Sequence, residues 1–142
     1  NPGTTIEADL TSAHHIPPDS FDCIIFAQTL QLIYDIRSTM DTLYRILKPG
    51  GVLLATVSGI SQTTDDQWWD RNWCWRFTSV SVQKIFQEKF PSENIEVKGY
   101  GNVLVAASFL YGLSKDDLRQ EELNYFDHRY EILIAVKAVK PG

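Results

Sequence analysis

The chain has 142 residues and a mass of 16.2 kDa, with 44% hydrophobic and 22% charged residues. That size fits one domain, able to bury a core without disulfides or metals. Its 13 basic and 18 acidic residues give a net charge of −5, which excludes a partner recruited by a positive field, nucleic acid above all. No apolar run of about 18 residues is present to cross a membrane, and two cysteines, Cys23 and Cys74, are too few for a disulfide framework. A reducing, cytoplasmic setting is the expectation.

Residues 4–9 read as a short extended segment ending at Asp9. Residues 14–22, with Pro17-Pro18, read as a loop. Phe21–Ala27 is an apolar run with β-branched and aromatic residues, the pattern of a strand buried on both faces of a parallel sheet; Cys23 is expected there as a small core side chain. Ile36, Met40, Leu43 and Leu47 recur at helical spacing and predict a helix with one buried stripe. Ser38 and Asp41 are its expected caps, and Lys48-Pro49-Gly50-Gly51 its terminator. Residues 52–57 predict the next strand.

Residues 58–76 form a long polar and aromatic connection that holds all four tryptophans, a length usually reserved for function. Residues 80–90 predict a helix capped by Thr78 or Ser79 and stopped by Pro91. Ile95–Tyr100 predicts a strand. Gly101 is expected in a backbone conformation closed to other residues, with Asn102 capping a helix over 103–111 and Gly112 closing it. Residues 115–124 read as a short charged helix or loop, and 130–139 as a long last strand, antiparallel to its neighbours. Strands alternating with helices imply an α/β fold.

Phe21-Asp22-Cys23-Ile24-Ile25, then Thr42-Leu43-Tyr44-Arg45-Ile46-Leu47-Lys48-Pro49-Gly50-Gly51 followed by Val52-Leu53-Leu54, resembles the class I S-adenosylmethionine-dependent methyltransferases, type 11 subgroup. Trp75-Arg76-Phe77-Thr78, Phe90-Pro91 and Tyr100-Gly101-Asn102 resemble members found beside sugar-polymer biosynthesis. The resemblance implies a Rossmann-like sheet of strand order 3-2-1-4-5-7-6, mostly parallel with an antiparallel last strand. Residues 1–142 then form a single domain holding strands three to seven and lacking strands one and two, with 4–9 as strand three. No G-x-G-x-G loop occurs in the sequence.

By the same resemblance the intact parent binds S-adenosylmethionine. Asp9 would accept from the adenine amino group, the Leu10 amide would face a ring nitrogen, and Gln28 and Thr29 would contact the rest of the cofactor. Relatives carry a His or acid near position 31; Gln31 takes no proton at neutral pH, so no catalytic base is named. Trp68, Trp69, Trp73 and Trp75, interleaved with Asp65, Asp66, Asp70, Arg71 and Arg76, read as a substrate lid in which indole faces stack on a ligand and the charges orient its hydroxyls. Trp69, Trp73, Trp75 and Arg76 are the expected substrate contacts. Arg71 and Arg76 also suit a phosphate or carboxylate. The expected acceptor is a small molecule, a sugar or saccharide intermediate, and this chain alone is expected to be weak or inactive.

His14, His15 and Asp19 lack metal-ligand spacing, so no metal is expected. His128 reads as a residue entering the last strand. With strands one and two missing, the Phe21–Ala27 edge is a template for another chain, and a homo-oligomer through it is expected. The competing reading is a non-catalytic methyltransferase-like interaction module; a hydrolase on another α/β fold is a third, without a G-x-S-x-G elbow to support it.

Overall fold

The computed structural model describes residues 3, 5–63 and 72–142. In chain order it has β1 (Phe21–Ala27), α1 (Ile36–Ile46), β2 (Leu47–Ser58), α2 (Ser79–Gln87), β3 (Ile95–Tyr100), α3 (Val103–Leu110), α4 (Gln120–Asn124) and β4 (Leu133–Val139). The strands form one sheet of order β1-β2-β4-β3. β1 and β2 are parallel, while β4 is antiparallel to both β2 and β3. Three strands therefore share one direction, and the last strand enters between β2 and β3 rather than at an edge. Of the order implied by the resemblance, this is the 4-5-7-6 portion.

α1 starts at Asp35, whose carboxylate takes the Ser38 amide (3.1 Å) and hydroxyl (2.7 Å). This corrects the expected Ser38–Asp41 cap: Ser38 lies inside the first turn, and Asp41 pairs instead with Lys89. The helix ends at Ile46, and Leu47 already pairs with Phe21. Residues 48–51 bulge out before pairing resumes at Cys23 and Val52. Gly50 makes that bulge possible at φ +74°, and its amide donates to the Lys140 carbonyl (2.9 Å). The Lys140 ammonium returns to the Tyr44 and Leu47 carbonyls (3.0 and 2.7 Å) at the negative end of α1. α2 opens on a capping box between Thr78 and Ser81. α3 is capped by Asn102, as expected. The 115–124 segment is a 3₁₀ turn over Lys115–Asp117 followed by α4.

One face of the sheet carries the core. Phe26, Leu53, Ala55, Val57, Ile134, Val136 and Ala138 pack against Met40 and Leu43 of α1, and against Val82 and Phe86 of α2 with Phe90. The opposite face is open, with Ile25 77% exposed and Leu54 39%, which corrects the expectation that Phe21–Ala27 is buried on both faces. Cys23 lies on that side and is exposed, which corrects its expected burial. The strand alternates around Ile24 and Phe26, and position 23 falls in the wrong register for the core.

The expected strand over 4–9 is not present among its described residues, 5–9, which form no ladder. Asp9 instead closes a turn, its Oδ1 taking the amide (2.9 Å) and hydroxyl (2.8 Å) of Thr11. Such a local bond competes with strand pairing. Among the described residues no helix is long and apolar enough to cross a membrane.

Phe86 is fully buried between α2 and the sheet. Phe86→Ala is expected to cost about 3–5 kcal/mol, read as a lower urea midpoint at unchanged slope.

Candidate functional site at the carboxyl ends of β1 and β2

In open α/β sheets, ligands sit beyond the carboxyl ends of the parallel strands. Here that end is polar and cross-braced. Gln28 follows β1 at φ +50°, the left-handed region that few non-glycine residues occupy. Its amide donates to the Thr56 carbonyl (2.8 Å), which holds the turn onto β2. The Gln28 side chain spans the same gap: Nε2 donates to Thr56 Oγ1 (3.3 Å), while Oε1 accepts from the Ser58 hydroxyl (2.8 Å) and Gln31 Nε2 (3.0 Å). Thr29 donates to the Ala27 carbonyl (2.9 Å) and precedes the 3₁₀ turn Leu30–Leu32.

Gln31 is 2% exposed. Its side-chain Oε1 is buried without a partner among the described residues. Its backbone carbonyl takes two amides, Cys74 (2.8 Å) and Trp75 (3.1 Å), and so anchors the far end of the aromatic connection beside β1. Trp73 lies next to this clamp in the chain, and its indole Nε1 is the other buried atom without a partner. Trp75 stacks on Tyr34 (5.7 Å between centroids, 20° between planes) and donates to the Ile33 carbonyl (3.0 Å). It is thus engaged with the segment before α1. Arg76 Nε donates to the Ser61 carbonyl (2.9 Å). Trp69 lies outside the described residues, as do Trp68, Asp65, Asp66, Asp70 and Arg71.

Asp9 is exposed, and Leu10 beside it packs on the main core. The amide and then the hydroxyl of Thr11 hold the Asp9 carboxyl below its ordinary range. Both bonds fall on Oδ1, so Oδ2 keeps its acceptor capacity. At the same end of the sheet, Gly101 stands at φ +128°, and a Cβ there would lie 2.5 Å from the Tyr130 carbonyl oxygen. Asn102 donates to the Glu122 and Tyr125 carbonyls (2.8 and 2.7 Å) while capping α3. Cys74 is exposed. Among the described residues no three His, Cys, Asp or Glu side chains converge as metal ligands.

Of the residues expected at the site, the structure brings Gln28, Thr29, Trp73 and Trp75 to one end of the fold through Gln31. Thr56 and Ser58, which complete the polar cluster, were not among the expected residues. Their signal was the hydroxyl pair closing an otherwise apolar strand.

The methyltransferase domain family matches residues 1–55, the stretch that holds β1, α1 and the greater part of β2. Among solved structures the chain is similar to phosphoethanolamine N-methyltransferase 2 of Haemonchus contortus, in complex with phosphomonomethylethanolamine and S-adenosylhomocysteine (19% identity, TM-score 0.60, 94% of this chain and 36% of that one). A second is an S-adenosylmethionine-dependent methyltransferase of Thermotoga maritima (13% identity, TM-score 0.62, 95% and 63%). A third is the complex of the Haloferax volcanii Trm112 methyltransferase activator with a methyltransferase (15% identity, TM-score 0.58, 95% and 60%). No curated protein matches. The fold is therefore that of the class I S-adenosylmethionine-dependent methyltransferases, in accord with the type 11 resemblance. The chain spans roughly a third to two-thirds of the length of these relatives.

The turn that leads into β4 supplies a titration test. The Arg129 side chain, then its amide, hold the Asp127 carboxyl at about 2, against an ordinary 3.8. A folded value below the unfolded one stabilises the fold above that range, and the gain is lost as pH falls from about 4 toward 2. Carbon-detected titration is expected to place the Asp127 midpoint near 2, and Arg129→Gln to return it toward 3.8.

Proposed function

We propose that this chain is part of an S-adenosylmethionine-dependent methyltransferase acting on a small-molecule acceptor, with a sugar or saccharide hydroxyl as the favoured target. The observation that carries the reading is the hydrogen-bonded Gln28–Ser58–Gln31 cluster at the strand ends, in a chain whose first 55 residues match the methyltransferase domain family.

When bound, the cofactor supplies an electrophilic methyl group on a sulfonium sulfur, open to in-line attack by an acceptor lone pair. The residues suit that ligand. Asp9 Oδ2 accepts an exocyclic amine, and the Leu10 amide donates to a ring nitrogen. Gln28 and Thr29 border the reacting end, with the Gln28 turn fixed by its bonds to β2. Gln31 offers its unpartnered Oε1 to an acceptor hydroxyl or amine. That group orients the nucleophile but takes no proton, so the chain's part is positioning. Trp69, Trp73 and Trp75 would present indole faces to a sugar ring, and Arg76 its guanidinium to polar substituents. Without a glycine-rich loop in this sequence, weak binding by the chain alone is part of the proposal.

A second reading is favoured by one observation. Among the described residues β1 has a strand on one side only. A non-catalytic module that pairs with a second copy through this edge would cover it. Light scattering is expected to show a dimer on that reading and a monomer otherwise.

Calorimetric titration with S-adenosylhomocysteine tests the first reading. Saturable binding is expected, weakened about tenfold by Gln28→Ala, in line with the loss of hydrogen bonds at a polar site. Absence of heat here, and in a chain extended at its amino end, would refute methyl transfer.

A further inference from the structure

We propose that Arg76, His128 and Arg129 form a subsite for an anionic group, a phosphate monoester or a carboxylate, borne by the methyl acceptor. The assignment to an acceptor rests on the methyl-transfer reading above; the capacity to hold an anion does not.

The three side chains line one open cavity of about 260 Å³, together with Gly59, Ile60, Phe77, Thr78 and the carboxylate-bearing Glu131. They arrive from two segments distant in sequence: the irregular stretch leading into α2 and the turn before β4. Backbone bonds draw these together. The Gly59 and Ile60 amides donate to the Ile132 and Glu131 carbonyls (3.1 and 2.8 Å), and the Phe77 amide donates to the Ser58 carbonyl (2.9 Å). Ser58 is also the residue whose hydroxyl enters the Gln28–Gln31 cluster. One residue therefore supports both the cavity wall and the reaction site.

The charges favour an anion. Two carboxylates bear on the site, Glu131 in its lining and Asp127 beside it, and the oxygens of both already accept hydrogen bonds. Glu131 takes the Ser79 amide (2.8 Å) and the Ser79 hydroxyl. Asp127 takes the Arg129 amide (3.1 Å), Nε (3.0 Å) and terminal nitrogen (2.7 Å). Arg129 is thereby locked in place, with its other terminal nitrogen unused in that pair. Arg76 spends only Nε, on the Ser61 carbonyl, and among the described residues its two terminal nitrogens meet no carboxylate. A guanidinium carries five donors in a fixed fork that matches the oxygens of phosphate and carboxylate.

The test is a titration of the ¹⁵N-labelled 142-residue chain with inorganic phosphate, acetate and methyl glucoside, following the Arg76 and Arg129 Nε–H and His128 ring signals. Saturable shifts with phosphate or acetate, and none with the neutral glucoside, are expected. Arg76→Gln should weaken binding about tenfold, with Arg76→Lys between the two and the amide spectrum otherwise unchanged. The tighter of the two anions identifies the group. No saturable shift, or shifts that persist in Arg76→Gln, would overturn the subsite. So would displacement of phosphate by S-adenosylhomocysteine, which would give the cavity to the cofactor. Binding of S-adenosylhomocysteine, read in the same samples, separates the two ideas: cofactor bound without phosphate removes only the subsite, and phosphate bound without cofactor removes only its link to methyl transfer.

Discussion

The structure depends on β2 being paired along both of its edges. From Val52 to Thr56 the strand meets β1 on one side and β4 on the other, so its backbone groups are satisfied in the interior without water. Its inward side chains, Leu53, Ala55 and Val57, are then free to be wholly apolar. The same double pairing fixes where the strand stops. At Ser58 the ladder ends, and the next backbone groups turn to Ile132, Glu131 and Phe77. The functional end of the molecule is built on that termination.

Around this end the fold uses backbone carbonyls as anchors. The Gln31 carbonyl receives Cys74 and Trp75, and the Ser58 carbonyl receives Phe77. Two carbonyl anchors thus fix residues 74–77 ahead of α2. The left-handed turn at Gln28 is held the same way, by the Thr56 carbonyl. Backbone strain of this kind persists only where neighbours over-determine it. Here the neighbours are the β2 hydroxyls that also order the Gln28 side chain. The Gln28 turn and its side chain are therefore ordered by one set of bonds at the carboxyl end of the sheet.

Much of this was legible in the sequence. The apolar run Phe21–Ala27, the helical spacing of Ile36, Met40 and Leu43, and the Asn102 cap with Gly101 before it each depend on local periodicity or on one residue's conformational range, and each is found where expected. Errors arose where local chemistry offered two answers. Asp9 suits a strand end and an Asx turn equally, and the Thr11 amide and hydroxyl decided for the turn. Asp35 and Ser38 are both good caps, and the helix began at the earlier one. Cys23 has the composition of a core residue but the register of the open face.

By itself the sequence determined the succession of strands and helices, the breaks at Pro and Gly, and the family likeness carried by residues 21–54. Those features are written in spacings of a few residues, where periodicity and turn chemistry act. The family likeness implied the place of β4 between β2 and β3, but the tertiary structure alone decided that Ser58 joins Gln28 and Gln31 from 30 and 27 positions away, and that Arg76 shares a cavity with His128 and Arg129. The reason is that such contacts are set by strand order and register. Neither leaves a mark in the local pattern of either partner, and both are fixed only when the apolar faces of the sheet and helices are buried together.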